Sequence, residues 1–242
     1  MMKLLTGKQI NGEKYSFMNA LIITGGYLNI DFAKEYIKTL SYDKVFAVDK
    51  GLEYADSLSI VPDYIIGDFD AIDNEMLVKY ENAVTSGSIN SKIIRHPVMK
   101  AQTDTELAVN MAKEDNADEI ILLGATGSRL DHVLCNIGML MFAGKAGIKG
   151  TIVDENNRIR LLSSEYDMKD IVIERGEQFG TYFSLIPVTK EVSGVTISGA
   201  LYPLDKASVM QGTGLTISNE INEKAALIHI EEGAALIIES KD

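Results

Sequence analysis

Tyr64-Ile65-Ile66-Gly67-Asp68-Phe69-Asp70 sets a short, partly β-branched apolar run directly before two carboxylates. A run of this length without alternation reads as a buried strand of a parallel sheet covered on both faces. Similar runs stand at residues 21–23, 45–48, 120–123 and 151–153. Between them, residues 31–40, 51–58, 103–113 and 130–143 carry helical spacing. On the last of these, Leu130, Leu134, Ile137 and Met141 form one apolar stripe, the pattern of a helix packed on a core. Strands and helices alternating in this way predict an α/β fold: a mostly parallel, Rossmann-like sheet covered by helices.

The pattern changes after about residue 163. Strand candidates at 171–173, 182–187, 194–198, 207–210, 226–230 and 235–239 are separated by turn signals such as Glu174-Arg175-Gly176-Glu177 and Glu231-Glu232-Gly233. No stretch there has helical spacing, which predicts a small all-β sandwich or barrel. The expected domains are therefore residues 18–162, α/β, and residues 163–242, a β-sandwich. No repeat or Pro-rich linker separates them.

Composition narrows the classes of function. The 242 residues are 46% hydrophobic and 24% charged, the balance of a globular protein. The net charge of −12 comes without a block of Lys and Arg, which argues against nucleic-acid binding. An acidic surface aids solubility and would suit a cationic substrate. No apolar run approaches the roughly 20 residues of a membrane-spanning helix, and the N-terminus lacks the apolar stretch of a secretory signal. Cys135 is the sole cysteine, so neither an intramolecular disulfide nor a Cys-based zinc cluster can form. A reducing cytoplasm is the expected compartment. Cys135 itself is expected to pack as a small residue.

In an open parallel sheet, ligands bind beyond the carboxyl ends of the strands. The first strand is followed by Thr24-Gly25-Gly26, which either lets the backbone approach a ligand or forms a plain tight turn. Neither a Walker A loop nor a full GxGxxG accompanies it. The second is followed by Asp49, a ligand contact or the N-cap of the next helix. The third is followed by Asp68 and Asp70, whose spacing turns both carboxylates to one side of an extended backbone. Paired carboxylates repel unless a cation lies between them, so they read either as a Mg²⁺ site with bound phosphates or as a hydrated acidic turn. Thr103-Asp104-Thr105-Glu106 has the spacing of a capping box, and a capped helix start is also a rigid mount for a metal ligand. The last motif, Gly124 to His132, offers a helix start that Ser128 could cap and that would attract an anion. Arg129, His132 and Asn136 share one helical face, opposite much of the apolar stripe. Arg129 at a helix start needs compensation, which a bound phosphate or Asp131 could supply. His132 alone reads equally as a structural histidine.

In order and spacing, these residues resemble the thiamine pyrophosphokinase family. The resemblance is carried by Ala47-Val48-Asp49, Gly67-Asp68-Phe69-Asp70, Thr103-Asp104, Gly124-Ala125-Thr126-Gly127, Arg129-Leu130-Asp131-His132 and Asn136. In the β half, Gly199-Ala200-Leu201-Tyr202-Pro203-Leu204 and Ser218-Asn219-Glu220 resemble the bacterial thiamine-binding domain. The match runs from about residue 21 to residue 238. It implies ATP as donor, thiamine as acceptor, AMP as second product, Mg²⁺ as cofactor, and a homodimer with active sites at the subunit interface. By position, Asp68, Asp70 and Asp104 become metal ligands and, with Arg129, the catalytic set. Gly25, Gly26, Asp49, Lys100, Arg129, Asp131 and His132 fall on the nucleotide side, and Asn136, Thr216, Ser218 and Asn219 on the thiamine side. The chain departs from the family pattern at Ala71, Ala101 and Ser128, and it has no Trp to stack on thiamine. Other readings of the same residues are a diphosphokinase for a hydroxymethylpterin-type alcohol, an aspartyl phosphohydrolase, and a non-enzymatic sensor. Against the phosphohydrolase, its Asp-x-Asp pair would follow the first strand, whereas Asp68 and Asp70 follow the third.

Overall fold

The computed structural model describes residues 9–10, 13–14, 17–70, 72–95 and 102–242. The described chain divides into two compact units, Met1–Asn136 and Ile137–Asp242. In the first unit, a two-residue hairpin, β1 (Gln9–Ile10) with β2 (Glu13–Lys14), precedes the sheet strands. The elements then alternate: β3 (Asn19–Ile23), α1 (Ile30–Ile37), β4 (Lys44–Val48), α2 (Gly51–Ser57), β5 (Tyr64–Gly67), α3 (Asn74–Thr85), β6 (Lys92–Arg95), α4 (Asp104–Glu114), β7 (Glu119–Leu123) and α5 (Leu130–Lys145). All pairings among β3 to β7 are parallel, in the order β7-β3-β4-β5-β6. The chain therefore builds outward from β3 in one direction and returns with β7 on its other side. Leu21, Ile22, Ile23, Phe46, Ile65, Ile66, Ile120, Leu122 and Leu123 are fully buried, as strands covered on both faces must be.

Two elements of this unit carry weak sequence signals. Helix α3 buries only Leu77 and Tyr80, so its apolar stripe is too thin to stand out. Strand β6, outermost in the order, has an exposed Lys and Arg around Ile93 and Ile94. Helix α5 is where expected, but its stripe is not the core face. Leu130 and Leu134 are 66% and 61% exposed, and Cys135 is exposed rather than packed. The buried positions are Leu140, Ala143 and Gly144, a set rotated around the helix from the stripe. An apolar stripe marks a face that leaves water, and within one chain nothing requires that face to be the core.

The second unit is helix-free after α5. Strands β8 (Lys149–Val153), β9 (Asn157–Ser163), β15 (Ala234–Ser240) and β11 (Tyr182–Pro187) pair antiparallel in that order. The run at 151–153, expected as a strand, is β8, which pairs antiparallel with β9 on one side. A second antiparallel sheet has the order β10 (Asp170–Glu174), β14 (Ala225–His229), β12 (Glu191–Ser198), β13 (Leu204–Met210). Leu162, Phe183, Leu185, Ala235 and Ile237 of the first sheet share one buried cluster with Ile173, Val192, Val195, Ile197, Val209 and Ile228 of the second. This is the expected sandwich. Strand β9 escapes the sequence pattern because Arg158 and Arg160 occupy one of its faces. Both pair with Glu239, a fully buried carboxylate on β15. Among the described residues, no helix is long and apolar enough to cross a membrane.

Candidate active site

The strand ends of the first unit converge. Thr24, after β3, donates its backbone N–H to Leu123 O and its hydroxyl to Gly124 O, while Tyr27 N–H donates to Thr126 O. The loops after β3 and β7 therefore close on each other at the point where strand order reverses, the usual ligand crevice of such sheets. A Cβ at Gly26 would lie 2.3 Å from both Gly124 O and Thr126 O. Chain-to-chain approach alone thus demands glycine at this position. Gly25 faces the loop after β4, where a Cβ would stand 3.3 Å from Lys50 Cβ.

Asp49 is not the N-cap of α2. That position is Lys50, and Asp49 takes a left-handed backbone, φ 49°. Its carboxylate instead lies over the end of β5, where a Cβ at Gly67 would meet Asp49 Oδ1 at 2.1 Å. Glycine at 67 therefore makes room for the Asp49 side chain. Immediately beyond, the backbone N–H of Asp70 donates to Asp68 Oδ1 at 3.1 Å, closing a two-residue turn. The Asp68 carboxylate raises the Asp70 pKa by its charge and a hydrogen bond between the two side chains, and Asp104 adds to the rise. Asp104 opens α4, held by Thr103, whose side chain accepts from Glu106 N at 3.1 Å. The cap and the acidic position coexist, as the spacing predicts.

Asp70 thus lies within reach of the charges of both Asp68 and Asp104. Their donor set is all carboxylate oxygen, which fits a hard divalent cation such as Mg²⁺. Among the described residues, no three His, Cys, Asp or Glu side chains close into a ready-made metal cage. Mg²⁺ rarely uses such a cage, because phosphate oxygens and water complete its shell.

At the start of α5, Val133 N–H donates to Arg129 O, so Arg129 and not Ser128 occupies the capping position. The Arg129 guanidinium is compensated by Asp131, with Nη2 to Oδ2 at 2.6 Å and Nε to Oδ1 at 3.3 Å. This pair pulls the Asp131 carboxyl down to about 2. Both side chains are exposed, so a phosphate could exchange for Asp131 at little cost. His132 is exposed, and Asn136 donates its side-chain N–H to Ala125 O at 2.8 Å, pinning the β7 loop to α5. Lys100 lies outside the described residues.

Within the second unit, Thr216 and Asn219 are buried and committed to backbone. Thr216 donates its hydroxyl to Leu185 O at 2.6 Å. The Asn219 side chain accepts from Tyr202 N and donates to Tyr202 O. They shape a loop rather than offer free polar groups. Ser218 between them is exposed, with a left-handed backbone at φ 55°. Beside them, Ile197, Tyr202, Leu204, Leu215 and Ile217 line a groove of about 150 Å³. Its apolar lining was missed from sequence, though alternate residues Leu215 and Ile217 beside Ser218 were the available signal. Also missed was Arg95 at the end of β6, whose guanidinium faces the Phe69 ring.

The family model for the thiamin pyrophosphokinase catalytic domain matches residues 36–152, and that for the thiamin pyrophosphokinase vitamin B1 binding domain matches residues 169–235. The chain belongs to the thiamine pyrophosphokinase family. The thiamine pyrophosphokinase of Bacillus subtilis strain 168 is 33% identical over 196 residues, spanning 81% of this chain and 86% of that protein. The crystal structure of thiamine pyrophosphokinase from Bacillus subtilis superposes with a TM-score of 0.80 at 29% identity, covering 93% of this chain and 99% of that one. The thiamin pyrophosphokinase from Geobacillus thermodenitrificans gives 0.77 at 29% identity, covering 93% and 98%. The first match spans the strand ends that carry Asp49, Asp68 and Asp70 and the helix start that carries Asp104, and the second falls within the β-sandwich.

Proposed function

We propose a reaction centre built on Asp68, Asp70 and Asp104. The activity is transfer of the diphosphate of ATP to the hydroxyl of thiamine, giving thiamine diphosphate and AMP. The observation that carries the centre is the turn after β5 in which Asp70 N–H meets Asp68 Oδ1, with Asp104 near enough for its charge to act on Asp70. These residues would hold Mg²⁺, which when bound neutralises phosphate oxygens and orients them. Transfer of this kind depends on positioning and charge more than on covalent help. The thiamine hydroxyl attacks the β-phosphorus in line, and AMP leaves. Arg129 turns from Asp131 to the phosphates, whose negative charge grows as the bond to AMP breaks.

The nucleotide side comprises Gly25, Gly26, Asp49, Lys100, Arg129, Asp131 and His132. On the thiamine side stand Asn136, Thr216, Ser218 and Asn219, with Thr216 and Asn219 acting as scaffold for the groove wall. Residues 18–162 form the catalytic part and 163–242 the thiamine-binding part, a division supported by the two family matches at 36–152 and 169–235. The enzyme works as a homodimer in the cytoplasm, with active sites at the subunit interface. The exposed Leu130 and Leu134 support a further partner for α5.

Incubation with ATP, Mg²⁺ and thiamine, followed by product separation, tests the reaction. Equimolar AMP and thiamine diphosphate are expected. ADP in place of AMP, or faster turnover of a hydroxymethylpterin, contradicts it.

A further inference from the structure

Phe69 separates the two carboxylates of the turn, and its own placement is costly. Its backbone is left-handed, φ 64°, a region that bulky residues rarely enter. Its ring is nevertheless buried, 5% exposed. Such a conformation persists only where the surroundings impose it. One of those surroundings is Gly67, at which a Cβ would lie 3.3 Å from the ring's Cδ1. Another is Arg95, the last residue of β6 and the register partner of Gly67 across the parallel pair. The Arg95 guanidinium carbon stands 5.2 Å from the centroid of the Phe69 ring, within range of a cation–π contact. The same guanidinium is tied through Nη2 to Glu81 on α3. It is therefore held by a carboxylate on one side while it faces the ring.

We infer that Arg95 is a positioning residue for Asp68 and Asp70. Holding the Phe69 ring fixes the turn in which Asp70 N–H meets Asp68 Oδ1, and with it the direction of both carboxylates. The inference rests on the reading of that pair as metal-holding. Arg95 is not required to touch metal, nucleotide or thiamine. Its contribution passes through the ring, so it should act on metal binding and leave global stability nearly unchanged.

The test is Mn²⁺ binding in the presence of ATP, followed by the paramagnetic signal of free Mn²⁺, with the melting temperature recorded for each variant. Arg95→Ala should weaken Mn²⁺ binding about two- to fivefold, the factor that an ordinary cation–π contact is worth. Arg95→Lys should restore most of it, because an ammonium can still face the ring and pair with Glu81. In a Phe69→Ala background, Arg95→Ala should cause no further loss. Unchanged Mn²⁺ affinity in Arg95→Ala overturns the inference, as does an equal loss in the Phe69→Ala background. Asp70→Asn separates the two levels of the argument. If that variant binds Mn²⁺ like the wild type, the metal reading itself falls, whatever Arg95 does.

Discussion

The backbone N–H of Asp70 donates to Oδ1 of Asp68 at 3.1 Å, so one carboxylate is locked into a turn that leaves the other facing it. The Asp70 pKa is raised chiefly by Asp68. A folded pKa above the unfolded one means that the favourable contribution exists below the ordinary carboxylate range and is lost as pH rises through the raised value. At neutral pH the pair is therefore in repulsion. Asp70→Asn should melt slightly higher than the wild type at pH 7 in metal-free buffer, with the gap closing as pH falls below the ordinary carboxylate range. Calorimetry across pH 3–7, an interval set by that linkage at roughly the Asp range and above, checks both the sign and the trend.

Gly26 is fixed by the β7 loop. A methyl group there meets two backbone carbonyl oxygens at 2.3 Å, and neither can move without breaking a loop held by Tyr27 and Thr24. Gly26→Ala should cost about 3 kcal/mol, the upper end of ordinary overpacking. Gly138→Ala on α5, where a methyl group meets nothing within 4 Å, should instead gain about 0.5–1 kcal/mol. Urea unfolding of the two variants gives the contrast.

Glu239 is fully buried between Arg158 and Arg160, at 2.6 and 2.8 Å, and also accepts from Phe179 N. Replacing it by Ala leaves two guanidinium groups side by side on one face of β9 without the carboxylate they share. The expected loss is about 3–5 kcal/mol, as for other buried pairs broken on one side. A denaturant series at low and at 0.5 M salt, roughly a Debye length of 4 Å, checks that the pair is little screened.

Tyr80 is pushed up to about 12 by burial and by Asp56, to which its hydroxyl donates at 3.2 Å. Its favourable contribution is present below the unfolded tyrosine value of about 10 and lost as pH rises toward the folded value. Alkaline difference spectra of the wild type against Tyr80→Phe should therefore show one tyrosine titrating last, near 12. A wild-type-minus-variant difference that titrates instead in the normal tyrosine range, about 10, would contradict that placement.

Much of the fold was legible because buried parallel strands leave unbroken apolar runs, as at Leu21-Ile22-Ile23 and Ile65-Ile66. What hid were elements whose burial is thin or ionic: α3 with two buried residues, β6 in its outer position, and β9 with its arginines turned to Glu239. The carboxylates of the candidate site were legible from their places, Asp68 and Asp70 after a strand and Asp104 at a capped helix start. Their neighbours were not, because Asp49 reaching over Gly67 and Arg95 facing Phe69 are contacts between strands distant in sequence. Sequence could pair Arg129 with Asp131 as one option, and the structure adopts it. It could not show that the stripe of Leu130 and Leu134 stays exposed, since periodicity marks an apolar face without naming its partner.

On the proposed function, Asp70 and its neighbours place the phosphates for transfer. Steady-state production of AMP and thiamine diphosphate by Asp70→Asn, at saturating ATP, thiamine and Mg²⁺, measures this most directly. Turnover is expected to fall at least about a hundredfold, the scale of removing one charge-stabilising group, in a protein that melts no lower than the wild type. Near wild-type turnover in that folded variant would contradict it.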